Sequence, residues 1–470
     1  MLFNTVEYWL FFAAVLVIFY NLPFRYGKVF LLIASYLFYM DWSAQCVLLI
    51  IASTLVDYTL GRFLESAKGQ RKKRLVAISI FVNLGFLGFF KYYNLFAGSV
   101  AVLAGRPENS FALNIILPVG ISFYTFASLS YIVDVYKGRM KAERNLVDYA
   151  FFVTFFPHLL AGPIIRARQF LSQIATWQRP SSFVVQSGIV LILSGLVKKM
   201  IFADRFAIVA NDYFAQSASF PGWLAAWSAL FAVYMQIFFD FSGYTDIARG
   251  CARLLGFEFP LNFVRPMLAS NPIQFWQRWH ISLTTWIRDY VFKPLIARRK
   301  GWFLFARSTL ITMLLIGLWH GAGWHFVLWG GYSGVMLVLY RVYKRATEGT
   351  MWEKVTRSRL YLPFALVIGF ATVTASFALF RTQTLHEAAG LFQVMFHFQG
   401  AAGASVLTSG LYALSLISFL LAVLEERHLV IQRLATAPAW IQIPSYTCVF
   451  LALELFSITE QKVPFIYFQF

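Results

Sequence analysis

Apolar runs long enough to cross a membrane recur along almost the whole chain, and nothing constrains its fold more. About twenty consecutive apolar residues span the hydrocarbon core of a bilayer. Runs of this kind begin near residues 6, 29, 44, 75, 115, 147, 185, 221, 302, 322, 360, 405 and 445. Some are short or interrupted, so roughly ten to twelve crossings are expected. Composition agrees: 59% of the 470 residues are hydrophobic and 13% are charged, against about 45–50% and about 25% in soluble proteins. So few charges cannot cover so much apolar surface, which excludes a soluble fold. The expected fold class is all-α, a polytopic integral membrane protein. No repeat, low-complexity tract or polar domain interrupts the pattern, and one membrane-embedded domain over 1–470 is the simplest organisation.

Forty basic and 21 acidic residues give a net charge of +19. The basic residues stand in short clusters between apolar runs, the pattern of loops facing an anionic cytoplasmic leaflet rather than of a nucleic-acid-binding surface. The first run has no Lys or Arg before it and no small-residue cleavage site behind it, so it reads as a retained span, not a secretory leader. Arg25 and Lys28 follow it, Arg71-Lys72-Lys73-Arg74 follow the third run, and Asp41 lies without basic neighbours between the second and third. The positive-inside rule then puts the N-terminus outside. Cys46, Cys251 and Cys448 are far apart, so neither a disulfide framework nor a zinc site is expected.

Two regions break the pattern. Residues 240–300 are too polar for plain spans and too aromatic for a solvated loop. Within them Trp276, Trp279, Leu283, Ile287 and Tyr290 recur at spacings of three and four, which predicts one helix over 275–290, interfacial or re-entrant. Arg278, Thr285, Arg288 and Asp289 fall mostly elsewhere on that wheel. The second break is Leu318-Trp319-His320-Gly321-Ala322-Gly323-Trp324-His325, a polar, Gly-rich insertion between two apolar segments.

The chain has no P-loop and no GxSxG elbow, and His386-Glu387-Ala388-Ala389-Gly390 puts Gly where a zincin needs its second histidine. No metal site is expected, and any activated donor must arrive ready-made. Of the histidines, His320 ends the apolar run that follows Arg298-Arg299-Lys300, roughly 20–27 Å along its helix. An imidazole that deep is a functional candidate, suited to taking a proton from a hydroxyl. The competing reading is a hydrogen-bonded residue in a Gly317-xxx-Gly321 packing site. His280 can line a cavity or anchor an interfacial helix. His325, about 140° from His320 on a helical wheel, does not share its face. His386, His397 and His428 have no supporting context and are expected at the surface or in loops. Asp240 and Asp246 can shape a polar cavity or pair with Arg249 or Arg253. Lys198-Lys199 and Arg298-Arg299-Lys300 can meet donor phosphates or simply mark topology.

Phe239-Asp240-Phe241-Ser242-Gly243-Tyr244-Thr245-Asp246, Phe275-Trp276-Gln277-Arg278-Trp279-His280-Ile281-Ser282-Leu283 and Gly317-Leu318-Trp319-His320-Gly321-Ala322 together resemble the membrane-bound O-acyltransferase superfamily, in its bacterial polysaccharide branch. Residues 32–39, 117–124 and 156–163 are similar to that branch too, and the resemblance runs over about 1–340. It implies a multi-helix fold with re-entrant segments around a central tunnel. It maps the family's essential histidine onto His320 and its second signature position onto His280. Asp240, Tyr244, Asp246, Trp276, Arg278, Trp279, Trp319 and Gly321 become candidates for lining the tunnel or binding substrate. The implied activity is O-acetyl transfer in exopolysaccharide or cell-envelope modification at the bacterial cytoplasmic membrane. Acetyl-CoA is the implied donor, a polysaccharide the acceptor and an extracytoplasmic SGNH-type transferase the partner, with no tightly bound cofactor. Leu283-Thr284-Thr285-Trp286 departs mildly from the usual Leu-Ser-Thr-Trp. Teichoic acid D-alanylation, a proton-coupled transporter and a non-catalytic scaffold are the alternatives.

Overall fold

The computed structural model describes residues 1–160, 162–296, 301–398, 409–424, 429–457 and 465. Arg298-Arg299-Lys300 and His428 lie outside them. All regular structure among the described residues is helical. Eight helical stretches are long and apolar enough to cross a membrane, and Val6–Asn21 is apolar but shorter. The runs near 29 and 115 emerge as helices of 17 and 16 residues, and the run near 147 as one of 9. The chain divides into two compact units: Met1–Ile192 with Tyr244–Pro260, and Leu193–Gly243 with Leu261–Phe470.

The first unit contains α1 (Val6–Asn21), α2 (Phe24–Met40), α3 (Ala44–Ser66) and α4 (Gly69–Leu87). A π-helical turn, Gly88–Tyr92, carries α4 into α5 (Tyr93–Leu103). There follow α6 (Ile121–Tyr136), α7 (Leu146–Thr154), the single turn α8 (Phe156–Leu159), α9 (Ala167–Ala175) and most of α10 (Ser182–Val197). Thr5 and Ser43 start α1 and α3 by accepting from the Tyr8 and Cys46 amides, satisfying donors that the first turn leaves orphaned. The three outlying motifs meet here. Tyr39 Oη donates to the Val119 carbonyl over 2.7 Å, and the Phe156 amide donates to Ser35 Oγ over 3.1 Å. Gly120, at φ 78°, lies where a Cβ would stand 2.5 Å from the Leu159 carbonyl, so only glycine fits. Asp57, fully buried in α3, accepts from Ser79 and Asn83 of α4.

In the second unit a π-helical turn, Lys198–Ala203, leads into α11 (Asp204–Ala215), followed by α12 (Trp223–Leu254), whose last turns belong to the first unit. Next come α13 (Pro272–Arg278), α14 (Ile281–Ile287) and α15 (Lys293–Ile296). The hairpin of α16 (Trp302–His320) and α17 (Trp324–Thr347) follows, then α18 (Met351–Thr356), α19 (Leu362–Arg381) and α20 (Leu385–Phe396). The described part of the chain closes with α21 (Ser409–Leu424), α22 (Leu429–Thr436) and α23 (Ala439–Phe456). The α16–α17 hairpin is pinned by glycines. A Cβ on Gly317 would lie 2.2 Å from the Phe326 carbonyl, and one on Gly330 2.2 Å from the Met313 carbonyl. Small residues let helix backbones approach this closely in a membrane.

The single helix expected over 275–290 is in fact two. Asn271 caps α13 by accepting from the Gln274 amide, with Pro272 at its first position. The helix then stops, because Trp279 is extended and His280 is left-handed at φ 43°, ψ 53°. An incoming segment holds both sides of the break. The Val264 amide donates to the Arg278 carbonyl and the Ile281 amide to the Asn262 carbonyl. These bonds satisfy groups that helix ends leave open. The apolar stripe continues across the break, so side-chain periodicity does not reveal it.

Candidate functional site

Among the described residues, only two other than glycine have positive φ, Arg265 and His280, and they flank this paired segment. Such backbone costs about 1–3 kcal/mol and persists only where its surroundings over-determine it. Asn262 does so for His280. Its Oδ1 accepts from the Ser282 amide at 3.2 Å and from Ser282 Oγ at 2.6 Å, and lies 3.3 Å from His280 Nδ1. An oxygen that already accepts twice fixes the amide's orientation, so Nδ1 of the imidazole carries the proton and donates. Nε2 therefore presents a lone pair. It is fully buried and meets no hydrogen-bond partner among the described residues. Burial pushes this histidine down to about 3, and it stays neutral.

His280 and His320 share one indole. Trp319 lies 5.7 Å from His280 and 4.9 Å from His320, centre to centre. His320 closes α16 at the hairpin and is 5% exposed. Its ring is further walled by Trp329 at 5.0 Å and Phe380 at 5.5 Å, both edge-on. Phe241 packs edge-on against His280 at 4.6 Å. Aromatic walls of this kind exclude water and strengthen every polar interaction inside. Trp276 meets Trp329 edge-on at 5.9 Å. Trp279 faces elsewhere, into a cluster with Tyr234, Phe263 and Phe275. Arg278 donates to the Leu268 carbonyl at 2.8 Å and so braces the loop before α13. Gly321 is required by packing, because the Phe326 ring lies 2.0 Å from where its Cβ would be. His325 belongs to the next helix, α17. His386 and His397 are exposed.

Asp240 has a partner that the spacing did not suggest. It pairs with Lys199 at 2.9 Å, which also meets Asp204 at 2.8 Å, and the lysine is fully buried. Lys199 is thus neither a loop topology mark nor a phosphate contact. The π-helical turn at 198–203 brings it inward. Gly243 makes room for that turn, since a Cβ there would lie 2.8 Å from the Gly195 carbonyl and 3.1 Å from the Lys199 amide. Such turns are frequent at functional sites. Tyr244 and Asp246 belong to the first unit. There Tyr244 Oη donates to Asn4 Oδ1 at 3.2 Å, and Asp246 lies 3.5 Å from Arg249. Asn262 and Trp329 escaped the sequence reading, and so did the acidic partners of Lys199. Each acts through a partner far along the chain, which spacing does not disclose.

Beside the histidines lies a cavity of about 540 Å³. Its long walls are one face of α17, from Trp329 through Ser333 and Tyr340 to Thr347, and one face of α19. Nineteen residues of helix, eighteen rises, make it about 27 Å long. Trp276, Trp329 and Phe377 close the inner end, and Lys344, Arg357 and Tyr361 stand at the outer one. Among the described residues no group of three or more His, Cys, Asp or Glu side chains could hold a metal.

The profile of the membrane-bound O-acyltransferase (MBOAT) family matches residues 140–381. A Pseudomonas putida protein named "Probable alginate O-acetylase AlgI" is 37% identical over 84% of this chain and 80% of its own. The "Peptidoglycan O-acetyltransferase" of Helicobacter pylori is 29% identical over 80% of this chain and 75% of its own. The "Teichoic acid D-alanyltransferase" of Bacillus subtilis is 31% identical over 58% of this chain and 71% of its own.

Proposed function

Because the chain belongs to the membrane-bound O-acyltransferase family and is a multi-pass membrane O-acyltransferase, we propose that it passes an acetyl group from acetyl-CoA across the membrane to a hydroxyl acceptor, for O-acetylation of an extracytoplasmic polysaccharide. Family membership sets aside the transporter and scaffold readings. Acetyl is preferred to D-alanyl because the relatives named for O-acetylation align over 80–84% of this chain, against 58% for the named D-alanyltransferase. The reading covers the whole chain as one functional domain in the bacterial cytoplasmic membrane, its N-terminus outside. An SGNH-type transferase beyond the membrane completes delivery to the glycan.

The observation that carries the chemistry is the histidine pair around Trp319, at the inner end of the cavity. Lys344 and Arg357 at the outer end supply charge for donor phosphates, and the groove leads the thioester inward. His280 Nε2 accepts from the attacking hydroxyl and orients it. His320 takes the hydroxyl proton as the oxygen attacks the thioester carbonyl; the C–S bond breaks, and the departing thiolate takes that proton from His320. The products are an ester and free CoA. Asp240 serves from behind, its pair with Lys199 holding α12, and with it Phe241, against His280.

The test is CoA release from acetyl-CoA by protein in lipid nanodiscs, with soluble alginate oligomers as acceptor and labelled acetyl followed in parallel. Release by the wild type should fall at least a hundredfold in His320→Ala, the usual scale for a lost general base. Equal release from both would remove His320 from the mechanism.

A further inference from the structure

From the cavity, the way to His320 leads past an indole. Neither His280 nor His320 is among the residues lining the cavity, whereas Trp329 is. Trp329 therefore has two faces: one lies in the cavity wall, and the other meets the His320 ring at 5.0 Å with the planes at 85°. The side chain is 3% exposed and held on every side. Its Nε1–H donates to Ser376 Oγ on α19 at 3.1 Å. Phe380 packs edge-on at 5.2 Å, and Trp276 at 5.9 Å. The next residue, Gly330, is locked against α16 by backbone contact. The groove behind the indole is long, and apolar and polar side chains are mixed along it. The acyl group leads the thioester inward, so on its way to His320 the restriction lies at this one side chain.

We propose that Trp329 sets the acyl length this protein transfers, confining the group at His320 to two carbons. The inference rests on the thioester-donor reading above and extends it to donor selectivity. A thioester advancing between α17 and α19 meets the indole one ring short of His320. An acetyl group can turn past it and present its carbonyl. Each further methylene has to occupy volume that the indole fills, and the Ser376 hydrogen bond keeps the indole from yielding.

The experiment compares kcat/KM for acetyl-CoA, butyryl-CoA and octanoyl-CoA in nanodiscs, for wild type, Trp329→Phe and Trp329→Ala, with protein-free nanodiscs as the blank. One methylene in a closed pocket is worth about 10–200-fold in selectivity. The acetyl-to-butyryl ratio should therefore fall by about tenfold or more in Trp329→Ala, and by less in Trp329→Phe. Trp329→Phe keeps an aromatic ring in the wall and carries the test if Trp329→Ala does not fold. Ratios unchanged in every folded variant, with acetyl transfer persisting, overturn the role of Trp329 and leave the donor reading standing. Release by wild type no greater than from protein-free nanodiscs overturns the donor reading, and this inference with it.

Discussion

His280 shows how much a single residue can be asked to do. It breaks a helix, holds a left-handed backbone and keeps an imidazole neutral in a closed aromatic site. The last property has a consequence for pH. Burial lowers its folded pKa to about 3, while the unfolded value is about 6.5. Between these values the unfolded chain binds a proton that the folded chain does not, so stability falls as pH drops from about 6.5 toward 3 and is complete above 6.5. Asn adopts left-handed backbone readily and does not titrate. His280→Asn should therefore lose less melting temperature than wild type between about pH 7.5 and about pH 5; equal losses would assign the acid limb to other groups. The sequence marked His280 and His320 as candidates, because polar residues stand out in apolar surroundings. It could not mark Asn262, eighteen residues away, whose oxygen decides which nitrogen of His280 faces the site.

Among the elements, the α16–α17 hairpin positions His320, and its geometry depends on glycine at two positions. Gly330→Ala drives a methyl to 2.2 Å from the Met313 carbonyl, whereas at Gly331 the nearest atom is Leu314 Cδ2 at 3.4 Å. Gly330→Ala should cost about 1–3 kcal/mol or more through overpacking and depress acyl transfer, because the helices must part beside His320. Gly331→Ala should be close to neutral. Thermal melts in detergent with parallel activity assays decide it, and comparable effects at the two positions would remove the close-packing explanation. Both hairpin helices were legible, since a Gly-rich polar break between two apolar runs is a strong signal. The α13–α14 break was not. Trp276, Trp279, Leu283 and Ile287 keep helical spacing across it, and spacing reports which faces are apolar, not the φ of one residue. The π-helical turn that buries Lys199 was equally hidden, because its cause, close approach to Gly243, comes from a helix forty residues on.

For the whole molecule, the distribution of basic residues predicts which side of the membrane each loop faces. With the N-terminus outside, α3 ends inside and the stretch from α4 to α5 returns the chain outward. In a variant lacking the exposed Cys448, Asn109→Cys should react with a membrane-impermeant maleimide on intact cells, and Lys73→Cys only after permeabilisation. Both positions are exposed, and the reverse pattern would invert the topology. The all-helical, membrane-embedded class was readable from the apolar runs. The division into two units was not, because it depends on which segments return to pack on one another. Residues 244–260 belong with the first 192, and their ties are specific. Tyr20 Oη donates to the Leu254 carbonyl, and Trp177 Nε1 donates to that of Leu255 at 2.9 Å. Phe151 and Phe155 pack on Phe257, and the backbones of Gly188 and Gly250 meet. This arrangement has a meaning in time. During synthesis the ribosome delivers fifty-one residues of the second unit before it delivers the piece that finishes the first. The usual sequence, in which an N-terminal domain matures while the rest is still being made, is closed to this chain. Its early helices wait in the membrane, unfinished, until translation has passed residue 260.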